Sequence, residues 1–105
     1  LYKKLAMDKL KKFELMEKIV RELEDLKRSQ QALLEKIGKI EVDNIELNDS
    51  RLEKALPDIY QRTADNLDSI NGVLDSFAEQ TDNFANKNNV DQLRQQQELN
   101  KTRNG

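Results

Sequence analysis

Carboxylates are the only side chains in this sequence with the number and spacing to suggest chemistry. Asp65 and Asp68 lie three apart, and Asp75, Glu79 and Asp82 lie four and three apart, so on a helix each set shares one face. Paired carboxylates can serve as general acid and base, but only where burial or a charged neighbour separates their proton affinities. Nothing around these five supplies either condition, and a solvated acidic face is expected. The chain has no histidine and no cysteine, which removes the commonest general base, thiol nucleophiles, disulfides, structural zinc sites and Glu-x-x-His di-iron sites. The run from Asp43 is not a calcium loop, since Ile45 stands where a ligand belongs and no glycine occupies the sixth place. No glycine-rich phosphate cradle occurs. Catalytic, cofactor-binding and metal-binding residues are therefore expected to be none, and the chain is expected not to be an enzyme.

A second cluster is basic. Lys3, Lys4, Lys9, Lys11 and Lys12 face Asp8 alone within the first twelve residues, interleaved with Leu1, Tyr2, Leu5, Ala6, Leu10, Phe13 and Met16 at helical spacing. This segment could lie on an anionic membrane or in a partner's groove, which gives one alternative function, a peripheral membrane tether. Nucleic-acid accessory binding is another alternative, resting on the same lysines. A net charge of −2 and the lack of interleaved aromatics beyond Tyr2 and Phe13 argue against it. The plainer reading is the start of one long helix whose lysines are solvated. Two glycosylation-type triplets, Asn48-Asp49-Ser50 and Asn100-Lys101-Thr102, carry almost no information, since about one is expected by chance in so asparagine-rich a chain.

The elements that position these residues are helices. Among 105 residues, 36 % are hydrophobic and 36 % charged, with one proline and three glycines. A globular domain carries roughly 45–50 % apolar residues, so there is too little here for a spherical core and enough for narrow helical stripes. Ile19, Leu23, Leu26, Gln30, Leu33, Ile37, Ile40, Asn44 and Leu47 alternate steps of four and three, the pattern of a coiled-coil seam. Val20, Leu34, Val42 and Ile45 broaden that stripe beyond what a two-stranded coil needs, which points to a bundle. Gln30 and Asn44 are amides in otherwise apolar seam positions and could fix register or partner number. Leu10 and Phe13 fall one place beyond this seam, so a register shift near Phe13 is expected.

The pattern breaks between Asn48 and Leu56. Ser50 with Glu53 has the form of a capping box, and Pro57 is expected in the first turn of the next helix. Leu56, Tyr60, Thr63, Leu67, Ile70, Leu74, Phe77, Thr81 and Phe84 form a second seam, widened by Ile59, Ala64, Val73, Ala78 and Ala85. Gly38 and Gly72 lie off the seams and serve no turn. Asn89 reads as the cap of a short helix anchored by Val90, Leu93 and Leu99.

The expected fold is all-α: helix 1 about 2–47, a break over 48–56, helix 2 about 57–85 and a short third helix about 90–102, together one elongated module. Wide stripes favour a folded-back arrangement completed by other chains, with an extended parallel dimer as the runner-up. The acidic second helix would meet a non-basic stretch in a simple intrachain hairpin, so its acidic face is expected to meet another chain. The leading function is a structural or assembly module working by self-association or by pairing with other coiled-coil proteins. Its seam would be Ile19, Leu23, Leu26, Gln30, Leu33, Ile37, Ile40, Leu47, Leu56, Tyr60, Leu67, Ile70, Leu74, Phe77 and Phe84. No run of about 18 apolar residues is present, and a start at Leu1 rather than methionine suits a fragment, leaving the compartment open.

Overall fold

The computed structural model describes residues 8–104, the side chains of the last two excepted. Three helices account for nearly all of it: α1 (Lys9–Leu47), α2 (Ser50–Lys87) and α3 (Val90–Asn104). The all-α architecture expected from the periodicity is what forms. Leu1 to Met7, including Lys3, Lys4 and the expected first turns of helix 1, lie outside the described residues. Within them α1 opens at Lys9, where Asp8 Oδ1 accepts from the Leu10 N–H at 2.9 Å and takes up one of the free amides of the first turn.

The break between α1 and α2 is two residues, Asn48 and Asp49, rather than the stretch 48–56. Asn48 holds a φ of 60°, in the left-handed region that asparagine tolerates better than most residues, and its N–H donates to the Asn44 carbonyl at 2.7 Å. Asp49, not Ser50, is the cap: its Oδ1 accepts from the N–H groups of Arg51 and Leu52, each at 3.0 Å. Helix α2 therefore begins seven residues before Pro57 and carries the proline inside it. The ring removes one backbone bond, at a cost of about 3 kcal/mol or more in a helix interior. Pro57 is exposed, and neighbouring Leu56 is only 7 % exposed, so buried packing beside the proline offsets the lost bond.

The chain divides into two compact units. One comprises Glu22–Leu74, the other the described residues before and after it, 8–21 and 75–104. In the first, α1 turns through Asn48 and Asp49 and α2 folds back on it as an antiparallel hairpin. Gln30 shares a surface cleft with Ile59, Arg62, Thr63 and Asn66, while Glu41 and Asn44 share one with Leu52, Glu53 and Leu56. The expected conflict of charge does not arise, because Asp58, Asp65 and Asp68 are all exposed and point away from the hairpin's interior. In the second unit Leu10, Phe13 and Val90 form the core, with Phe84 and Ala85 packed against it.

The covered face of α1 is rotated from the expected seam. Phe13, Val20, Lys27, Leu34 and Glu41 form one buried or half-buried column, and Met16, Leu23, Gln30, Ile37 and Asn44 form the other. Both keep a seven-residue period from Phe13 onward, but the Met16 column runs back to the exposed Lys9 while Leu10, one place later, is 5 % exposed, so the covered face steps by one residue just before Phe13. On α2 the covered columns are Leu56, Thr63, Ile70, Phe77, Phe84 and Leu67, Leu74, Thr81, as the periodicity predicts. Two threonines fit this seam because each hydroxyl is satisfied locally: Thr63 Oγ1 donates to the Ile59 carbonyl and Thr81 Oγ1 to that of Phe77, both at 2.8 Å.

Candidate functional site

Rotation of α1 leaves its most regular apolar column uncovered. Leu26, Leu33 and Ile40 are 44–45 % exposed and Leu47 is 70 % exposed, while Leu23 and Ile37 beside them are half-buried. Single exposed aliphatics are ordinary on a protein surface. Four at strict seven-residue spacing are not scattered: at about 1.5 Å per residue they draw one line of roughly 30 Å along the helix. Ile19, seven residues before Leu26, continues the column on α1 at 37 % exposure.

In the hairpin unit this column has a counterpart on α2. Gln30 sits four residues after Leu26 and three before Leu33, so the three share one side of α1. Across the cleft from Gln30 stands Ile59, 39 % exposed, and Val73, two heptads further along α2 on the same column, is 56 % exposed. The cleft itself is lined by Gln30, Ile59, Arg62, Thr63 and Asn66, with Asn66 between Ile59 and Val73 on their column. The hairpin's opposite side carries a cleft lined by Glu41, Ile45, Asn48, Glu53 and Pro57, which is mixed in character.

The remaining expected seam residues divide by helix. Leu56, Ile70 and Leu74 are buried, and Leu67, Phe77 and Phe84 half-buried, so most of the α2 seam is occupied within the chain. Tyr60 is the exception at 40 % exposure. Asn44 is 8 % exposed and is engaged in the turn rather than in partner choice: its Nδ2 donates to the Asp49 carbonyl at 3.1 Å and its Oδ1 accepts from the Asp49 N–H at 3.0 Å.

Of the lysine cluster, Lys9, Lys11 and Lys12 are exposed, and the Lys12 ammonium lies 5.3 Å from the centre of the Phe84 ring. The apolar residues that would enter a bilayer beside them, Leu10, Phe13 and Met16, are 5–7 % exposed. Arg94 on α3 was not singled out by sequence, yet it donates to Glu17 Oε1 at 2.6 Å and its guanidinium stands 5.0 Å from the Phe13 ring centre. Only contacts distant in sequence define it, which periodicity does not register. Leu93 and Leu99, expected as anchors of α3, are 36 % and 64 % exposed, and Val90 holds that helix at 2 %.

No described helix is long and apolar enough to cross a membrane, and among the described residues no three acidic side chains converge as a metal ion would require. The chain matches no family model, no curated protein and no solved structure.

Proposed function

We propose that this chain is a non-enzymatic assembly module, whose hairpin unit docks further helix onto the uncovered face of α1. The observation that supports the reading is the column Leu26, Leu33, Ile40 and Leu47, apolar at every seventh place and left exposed by a chain that already covers the column through Leu23, Gln30 and Ile37 beside it. Fully burying a leucine or isoleucine contributes about 1.5–3 kcal/mol, so completing the burial of these four favours association by roughly 3–6 kcal/mol before the cost of bringing two chains together. A membrane tether is not favoured, because Leu10, Phe13 and Met16, the apolar residues of the basic segment that are described, are buried within the chain itself.

The test is a photo-reactive amino acid placed at Leu33 of the full chain, with one at the exposed Ser69 as control. Adducts to a polypeptide from Leu33 and none from Ser69 are expected, whether the captured chain is another copy or a different protein. An absence of polypeptide adducts at Leu33, together with a monomeric mass by sedimentation, overturns the proposal.

A further inference from the structure

An asparagine followed by glycine loses its side-chain amide more readily than any other asparagine, because glycine has no Cβ to hinder its own nitrogen. Asn71-Gly72 is such a pair, and it lies inside α2 within the hairpin unit. In the reaction the Gly72 nitrogen gives its proton to solvent and attacks Asn71 Cγ. The N–Cγ bond forms, the Cγ–Nδ2 bond breaks, and Nδ2 takes up a proton from solvent and leaves as ammonia. Water then opens the cyclic imide at either carbonyl, which yields an aspartate or a β-linked isoaspartate. Water is consumed and ammonia released, with no oxidant or reductant involved.

Folded α2 withholds each requirement of this reaction. The helix commits the Gly72 N–H to the carbonyl of Asp68, four places back. Ring closure needs Asn71 to leave helical φ and ψ. Attack on Cγ also moves negative charge onto Oδ1, and that oxygen is buried with no hydrogen-bond donor among the described residues. The same two residues weaken the turn that guards them, since glycine is a poor helix former and a buried carbonyl without a donor is a standing cost. Gly72 is exposed, and a Cβ there would meet no atom within 4 Å, so no neighbouring side chain shields its nitrogen from water. When this turn opens, water supplies both the base for the Gly72 proton and the donor that Oδ1 lacks.

We infer that Asn71 is a site of spontaneous deamidation, gated by the opening of α2. The inference stands apart from the assembly reading. Asn71 is half-buried, one heptad from the half-buried Ala64, so the aspartate product sets a carboxylate where solvation is incomplete. The isoaspartate product adds a methylene to the backbone itself and breaks the helical repeat. Either product favours further opening, and neither reverts to asparagine.

The test follows Asn71 in the full chain by peptide mass at neutral pH, folded in buffer and unfolded in concentrated guanidinium. Unfolded, Asn71 is expected to convert about tenfold or more faster than Asn66, whose nitrogen neighbour belongs to Leu67. Folded, it is expected to convert about a hundredfold or more slower than unfolded, and to speed up in guanidinium below the unfolding midpoint as openings multiply. A folded rate within about threefold of the unfolded one shows that α2 is no gate and overturns the inference. A folded rate indifferent to mild denaturant also overturns it, as does an unfolded Asn71 no faster than Asn66. The consequence is read on the converted chain, separated by its added negative charge, and on N71D as a second preparation of the aspartate product. Each is expected to lower the ratio of folded to unfolded chain about tenfold or more. Converted chain as stable as the starting material overturns the claim that the product weakens α2.

Discussion

Asn44 brackets Asp49: its side-chain amide donates to the Asp49 carbonyl at 3.1 Å and accepts from the Asp49 N–H at 3.0 Å. The side chain thus behaves as a piece of backbone, holding both polar groups of the residue that caps α2. With the Asn48 N–H bonded to the Asn44 carbonyl at 2.7 Å, one residue ends α1 and sets the start of α2.

Removing the amide should therefore cost more than an exposed hydrogen bond would. N44A leaves two backbone groups of a half-buried turn without their partners, and a loss of about 1–3 kcal/mol is expected. N44D keeps the acceptor for the Asp49 N–H but faces the Asp49 carbonyl with an oxygen, so it should fall between N44A and the native chain. Urea unfolding followed at 222 nm gives both values, and an N44A loss below about 0.5 kcal/mol would show that the turn is held by Asn48 and Asp49 alone.

Pro57 makes the opposite prediction. It stands within α2, exposed, and deprives the Glu53 carbonyl of its usual donor. P57A restores that donor and improves helix propensity, and a gain of about 1–3 kcal/mol in the same unfolding measurement is expected. No gain would mean that the bend a proline imposes is part of how Leu52 and Leu56 reach α1.

For α3 the two anchors differ in kind. Val90 is 2 % exposed in the core with Leu10 and Phe13, whereas the Arg94–Glu17 pair is 44 % and 35 % exposed at its side chains. V90A should cost about 1–2 kcal/mol and speed amide exchange throughout α3 at any ionic strength. R94A should cost less than about 1 kcal/mol, with an effect that shrinks as salt is raised, since a half-exposed ion pair is screened. Equal and salt-independent effects would show that Arg94 acts by stacking on Phe13 rather than through Glu17.

How much of this was legible in sequence differs between the helices. The α2 seam could be read directly, because its most apolar columns, Leu56 to Phe84 and Leu67 to Leu74, are also the ones it buries. On α1 the two criteria part. The all-aliphatic column through Leu26, Leu33 and Ile40 is left outside, while a column containing Lys27 and Glu41 is turned in, their long stems lying half-covered. Periodicity finds the most apolar stripe, but a two-residue turn fixes which stripe faces the partner helix. Phe13 lies off the expected seam because it is in step with Val20 and Leu34, and the covered column follows it. Pro57 predicts a later start for α2 than Ser50, because a proline inside a helix costs a few kcal/mol, and the buried Leu56 beside it offsets that cost.

The two helical glycines allow a separate measurement of whether the exposed surface is approached by another helix. A Cβ added at Gly38 or at Gly72 would meet no atom within 4 Å, and neither residue has a positive φ. In the isolated chain G38A and G72A should each stabilise by up to about 1 kcal/mol, from helix propensity and reduced freedom of the unfolded chain. Thermal unfolding at micromolar and at hundredfold higher concentration checks this. A gain at low concentration that disappears at high concentration would place the glycine where a partner's backbone comes close.

Asn71 closes the set because it combines a sequence irregularity with an unmet polar group. Ala64, Asn71, Ala78 and Ala85 share a column of α2 at seven-residue spacing, all half-buried, and the asparagine is the only polar member. Its Oδ1 is buried with no hydrogen-bond partner among the described residues. Such a group is expected to cost about 1–3 kcal/mol, and alanine is also the better helix former. N71A should therefore raise the unfolding free energy by about 1 kcal/mol or more, making the column alanine throughout. A loss of stability instead would mean that the amide is satisfied in solution, by water or by a second chain. Repeating the measurement across a range of protein concentrations separates these, because only the loss of a partner contact varies with concentration.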